Sequence, residues 1–216
     1  MDLLTACTLA KELLQDIKAG CEKITIAGSI RRKKPRVKDI EIVVIPTINT
    51  YDEKNLFGEV IETKETDVLE ELLNALLGTR KWQWKKDDKI KRWGPRYKKL
   101  RHKKLDISCD IFYAKVGSWG GALTIRTGPA EFSKGIAMYT QSLGYHLADG
   151  YLLHKHPKPE GGCGAGSRCK QIVAISTEEL FFSHLGLEFI EPEFRTKETL
   201  DEAIRKGKPY FGKADS

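Results

Sequence analysis

Apolar and polar positions alternate along this chain in two periods, one of strands and one of helices. Leu3, Leu4, Cys7, Ala10, Leu14 and Ile17 recur at helical spacing and predict an amphipathic opening helix. Strands are expected at about 23–27 and 39–46. Val68, Leu69, Leu72, Leu73, Leu76 and Leu77 form one stripe of a helix over 67–77, stopped by Gly78. Further strands are expected at 80–85, 97–101 and 104–113, with a basic loop at 87–95 and a helix at 119–125. Thr127-Gly128-Pro129 reads as a turn, and Pro129 is placed to open a helix over 130–143 that Gly144 ends. The pattern then changes. Residues 145–154 alternate around Asp149-Gly150 as a hairpin, 156–170 form a Gly- and Pro-rich loop, and 171–175 return as a strand. Ser176 or Thr177 caps a last helix, with Glu178 and Glu179 in its first turn and Gly186 at its end. The polar tail beyond is expected to be loosely held. These shifts place a domain boundary near Gly144, dividing the chain into 1–144 and 145–216.

Composition narrows the classes. The 216 residues are 40% hydrophobic, enough for a core, and no apolar run approaches the roughly 18 to 20 residues of a membrane span. Asp2, Lys11, Glu12 and Asp16 interrupt the opening segment, which is no signal peptide. The expectation is a soluble, intracellular protein without a membrane partner. Five cysteines, an odd count, argue against a disulfide framework. The net charge of +7 is unevenly distributed: 31–38 holds six basic residues and no acid, and 80–104 holds thirteen against Asp87 and Asp88. These two blocks carry +17, leaving −10 elsewhere, which points to a path for a polyanion. Candidate contacts are Lys33, Lys34, Arg36, Lys85, Lys86, Lys89, Lys91, Arg92 and Arg96. Trp82, Trp84, Trp93 and Tyr97 interleave the second block and suit base stacking, although Trp82 and Trp84 suit a sheet core better.

The chemistry concentrates between Ile24 and Pro46. Gly28 and Ser29 form a turn that can offer donors to a phosphate. Asp39 and Glu41, two apart on a strand, point to the same face. Two adjacent carboxylates repel, and a hard cation such as Mg2+ is their natural partner. A third carboxylate is offered by the strand at 104–113. Asp106 and Asp110 share a face there but lie roughly 13 Å apart, too far for both to reach one metal pair. Position does not choose between them. His154, His156, Cys163 and Cys169 could make a tetrahedral zinc site or, for the cysteines, a loop disulfide. Their spacing matches no common zinc finger, and plain loop residues are the simpler reading.

Gly-Ser-x-Arg-Arg at 28–32, Asp-x-Glu ten residues after the Ser, a later Asp and Thr-Gly-Pro at 127–129 together resemble the family X DNA polymerases, the polymerase-beta-like nucleotidyltransferases. Residues 176–195 resemble the end of that family's thumb: a Glu-rich helix start, an aromatic, a Gly and a Pro-Glu-x-Arg close. The resemblance spans about 1–196, and the chain looks like the small viral members that keep only palm and thumb. It implies an α+β fold: a nucleotidyltransferase palm with a mixed sheet flanked by helices, then a small α/β thumb. In the family the third catalytic Asp lies eighteen residues before the Gly of the Thr-Gly turn, which here selects Asp110. The implied activity is DNA-directed addition of dNMP from dNTP to a DNA 3′ hydroxyl, in short-gap repair synthesis. Asp39, Glu41 and Asp110 would be catalytic ligands of Mg2+, with Mn2+ as a substitute. Gly28, Ser29, Arg31, Arg32, Thr127 and Gly128 would bind the nucleotide. Arg31 has an equal reading as a salt bridge. The implied partners are primer-template or gapped DNA and dNTP, the protein acting as a monomer, in a host's cytoplasm or nucleus if virus- or phage-encoded. Three departures stand out: Glu41 replaces the usual Asp, Ile125 and Arg126 replace two aromatics beside the incoming sugar, and the length is expected to leave no room for the amino-terminal lyase and helix-hairpin-helix domains of the larger members. The competing readings are a template-independent or RNA- or protein-directed nucleotidyltransferase, and a catalytically silent nucleic-acid-binding module.

Overall fold

The computed structural model describes residues 1–79, 81–83, 93–148, 152–155 and 172–207. In chain order these form α1 (Leu3–Ile17), β1 (Cys21–Ile26), α2 (Gly28–Arg31), β2 (Asp39–Pro46), β3 (Ile48–Lys54), β4 (Val60–Asp67) and α3 (Val68–Leu77). Next come β5 (Trp82–Gln83), β6 (Trp93–Gly94), β7 (Tyr97–His102), β8 (Ser108–Tyr113), α4 (Trp119–Thr127) and α5 (Ala130–Ser142). The chain continues with β9 (Tyr145–Ala148), β10 (Leu152–Lys155), β11 (Ile172–Val173), α6 (Glu178–His184) and α7 (Lys197–Lys206). Contacts divide it into two compact units: Met1–Ile26 with Val37–Tyr113, and Ala27–Arg36 with Ala114–Ser216.

The first unit is built on a mixed sheet of order β1-β2-β8-β7-β5, with β6 on β7. β2 is its spine. Five branched residues, Ile40, Ile42, Val43, Val44 and Ile45, are buried along it, as the β-branched run demands. It pairs antiparallel with β1 and parallel with β8. Helix α1 is capped by Asp2, which accepts from the Thr5 amide at 2.9 Å, and buries Ala6, Leu9, Ala10, Leu13 and Ile17. Asp67 caps α3 in the same way, and Leu69 and Leu73 complete the apolar layer. Trp82 is fully buried with its ring edge-on to His102, a core residue as its alternation with Gln83 requires. The β3–β4 hairpin forms a separate two-stranded sheet with exposed faces, between the spine and α3, where the sequence pattern carried no strand signal.

The second unit has its own core of Phe132, Ile136, Ile175, Phe181, Phe182, Leu185, Leu187 and Leu200. β9, β10 and β11 make a small antiparallel sheet. The contact boundary falls between Tyr113 and Ala114, well before Gly144, because α4 packs on α6 and α5 on α7. The tail expected to be loose is helical over Lys197–Lys206. Thr196 and Thr199 form a reciprocal cap, and Leu200 is driven into the core. Among the described residues no helix is long and apolar enough to cross a membrane.

Candidate active site

The first unit gathers the carboxylates. β2 and β8 run parallel with Asp39 opposite Ser108 and Glu41 opposite Asp110. Residues in register on neighbouring strands share a face, and Asp39 and Glu41 share it by alternation, so all three acids lie on one side of two strands. The Cys109 thiol reports their proximity: burial pushes its pKa up, and the negative fields of Asp110, Asp39 and Glu41 push it further.

Asp106 is excluded, for a reason the alternation could not foresee. The strand begins at Ser108 and not at Lys104; Lys103 to Leu105 turn, and Asp106 has φ +52°. Its exposed carboxylate is taken by Arg101. Asp110, only 6% exposed, is held from the neighbouring strand β7: Tyr97 donates its hydroxyl to Oδ1, and Lys99 Nζ lies 3.1 Å from Oδ1. Tyr97 also stacks on Phe112 at 5.2 Å. These partners of Asp110 were missed in the sequence. The only hint was the period of two in β7, which puts Tyr97 and Lys99 on one face and buries Lys98, Leu100 and His102 on the other. Buried Lys98 is satisfied by Glu70 at 2.9 Å and lies over the Trp93 and Tyr113 rings.

Three carboxylates on one face are the right hard-oxygen donors for Mg2+ or Mn2+ in kind and in register. Among the described residues, however, no three His, Cys, Asp or Glu side chains are arranged to hold an ion as they stand.

The second unit gathers the residues expected to bind the nucleotide. Gly28 has φ +61°, and a short helical turn follows it through Arg31. The Ser29 hydroxyl is buried and has no hydrogen-bond partner among the described residues. Both arginines read the Thr127-Gly128 turn: Arg31 donates to Thr127 Oγ1 at 2.8 Å, and Arg32 donates to the Thr127 carbonyl. Gly128 has φ +65°, and a Cβ there would lie 3.1 Å from Arg32 Nη1, so a side chain is opposed by backbone and neighbour alike. Arg31 is also committed to Glu178, the salt-bridge alternative.

Glu178 is the hub that the sequence signal concealed. It read as a first-turn charge, but it is 4% exposed and takes Arg31, Arg195 Nη1 at 2.9 Å and Thr124 Oγ1 at 3.2 Å. Burial raises its pKa, yet the Arg31 hydrogen bond and the charges of Arg195 and Arg31 win, leaving it below the ordinary carboxylate value. Arg195, fully buried, also donates to the Ile190 carbonyl and sits 5.3 Å from the Phe182 ring.

Of the expected DNA contacts, Lys33, Lys34, Arg36 and Arg96 are exposed, and Lys33 pairs with Glu193. Lys85, Lys86, Lys89, Lys91 and Arg92 lie outside the described residues, as do His156, Cys163 and Cys169. His154 lies on β10 opposite His146.

One unit thus carries a mixed sheet with three carboxylates in register, and the other a buried Glu-Arg pair, in an α+β fold. Residues 122–196 match the family model of the DNA polymerase beta thumb. A comparison with curated proteins gives no match. Among solved structures, a ternary P/T complex of Leishmania infantum polymerase beta is similar with a TM-score of 0.62 at 20% identity, over 91% of this chain and 76% of that one. A ternary gap complex of the same polymerase gives 0.61 at 19%, over 90% and 70%. The fold is thus similar to that of polymerase beta, and the match to the polymerase beta thumb is confined to residues 122–196.

Proposed function

We propose that the chain is a DNA polymerase of the repair type, adding dNMP from dNTP to a DNA 3′ hydroxyl. The observation that carries this reading is the register of Asp39, Glu41 and Asp110 on one face of β2 and β8. These residues would hold divalent ions, Mg2+ or in its place Mn2+; bound there, such ions lower the pKa of a hydroxyl and neutralise phosphate charge. Glu41 keeps the carboxylate chemistry of an Asp with one more methylene of reach. The unpartnered Ser29 hydroxyl suits a phosphate oxygen, with Arg32 as the guanidinium beside it. Arg31, spent on Glu178 and Thr127, is better read as the tie that keeps the Gly-Ser turn on the Thr-Gly turn. DNA as partner is supported by the exposed Lys34, Arg36 and Arg96. It is also supported by the P/T and gap complexes in which the similar polymerase was captured.

The test is incubation with Mg2+, each of the four dNTPs or rNTPs, and gapped, primer-template or single-stranded DNA. Template-matched dNMP addition, best on a gap, is expected. Addition without regard to template would support the untemplated alternative, and none under any condition would overturn the polymerase reading and leave an RNA- or protein-directed transferase or a binding module. Asp39→Ala or Asp110→Ala should abolish incorporation with DNA affinity nearly unchanged, because phosphate contacts carry that binding. An active Asp110→Ala beside a dead Asp106→Ala would overturn the site.

A further inference from the structure

We propose that Lys99 is a built-in counter-ion that competes with divalent metal for Asp110 and so raises the metal concentration the site needs; this rests on the carboxylate site proposed above. β7 and β8 pair antiparallel with Lys99 directly opposite Asp110. The alternation that buries Lys98 and Leu100 on one face brings Lys99 to the face with the acids. Its ammonium spans the carboxylate, 3.1 Å from Oδ1 and 3.5 Å from Oδ2, while the Tyr97 hydroxyl donates to Oδ1. Each oxygen of the carboxylate therefore has a protein donor close to it.

This ion pair differs from a surface one. The Lys99 side chain is 14% exposed and that of Asp110 9%, so water screens their attraction weakly. The neighbouring cations have other partners: Lys98 is held by Glu70 and Arg101 by Asp106. An ammonium and a metal ion cannot use the same lone pairs at once. A divalent ion carries twice the charge and can win, but only after displacing the lysine and crowding its positive charge.

The experiment measures Mn2+ binding by the loss of the free-ion electron paramagnetic resonance signal, with neither nucleotide nor DNA present. Lys99→Met and Lys99→Gln should each tighten Mn2+ binding at least about tenfold, since a positive charge next to the ion is removed. Lys99→Arg should bind no tighter than wild type. Asp110→Asn should weaken binding, and the Lys99→Met, Asp110→Asn pair should lose the tightening. If Lys99→Met fails to fold, Lys99→Gln, which keeps a polar stem, carries the comparison. Lys99 variants that bind Mn2+ like wild type or more weakly, in a protein where Asp110→Asn still weakens binding, overturn the counter-ion role alone. Equal binding by wild type and Asp110→Asn overturns the carboxylate site beneath it.

Discussion

Glu178 shows how much one side chain can organise. It is the common acceptor for Arg31 from the Gly-Ser turn, Thr124 from α4 and Arg195 from the closing segment. Removing one partner from such a buried pair leaves an unpaired charge, and Glu178→Gln should cost about 3 to 5 kcal/mol in chemical denaturation at neutral pH. The pH dependence has a definite sign. The folded pKa lies below the ordinary carboxylate value, so the unfolded chain takes up the proton first. The stabilisation is complete above the ordinary carboxylate range and is lost as pH falls through the folded value. Wild-type stability, followed by circular dichroism, should drop over that acid window, and Glu178→Gln should flatten the drop. An equally steep acid limb in the variant would remove Glu178 from the account.

At the scale of elements, α4 can lie against the segment before α6 only because Gly120 has no side chain. Its amide donates to the Ile175 carbonyl at 2.9 Å, and a Cβ would stand 1.9 Å from the Thr177 carbonyl oxygen. Gly120→Ala should therefore lower stability by about 1 to 3 kcal/mol or more, measured by urea unfolding, as overpacking against backbone does. Helix α7 is held by Leu200, and Leu200→Ala should cost about 2 to 5 kcal/mol. A Leu200→Ala protein as stable as wild type would mean that α7 is only loosely attached. The β3–β4 hairpin is the opposite case. Leu56 and Phe57 at its tip are fully or almost fully exposed, and the hairpin forms its own two-stranded sheet. Replacing its outer part by a short turn should move Tm by less than about 4 °C, because little apolar surface is lost.

The whole chain is basic, but its charge is concentrated in blocks. If those blocks track a nucleic acid, affinity for DNA should fall linearly with log salt in a log–log plot. Replacing both Lys34 and Arg36, exposed on the described surface, by Ala should reduce the slope by about 2 if each neutralises a phosphate. A flat salt dependence between low and moderate salt would dispose of the basic path. On the proposed reading the carboxylate variants should change incorporation and the basic variants DNA affinity, and measuring both separates the two.

Local signals reached far in this chain. Branched residues at alternating and continuous positions drew β2 at its observed bounds, and the leucine stripe with Asp67 and Gly78 drew α3, because each depends on neighbours a few residues away. The turns at Gly28 and at Thr127-Gly128 were legible, since turns impose their residue types locally. What the sequence could not decide depended on register and burial. Asp106 and Asp110 looked equivalent until the turn at Lys103–Leu105 pushed one off the strand and the parallel pairing set the other beside Glu41. Lys99 became the partner of Asp110 only through antiparallel pairing across β7 and β8. Glu178 changed from a helix-end charge to a buried hub through contacts with residues 147 positions before it and 17 after it. The sequence by itself determined the acidic and basic side chains on offer and most of the elements that carry them, because propensity and periodicity are short-ranged. Which acid joins the pair, which cation meets it and where the chain divides were decided by tertiary pairing, which brings distant charges into low dielectric and makes each contact count.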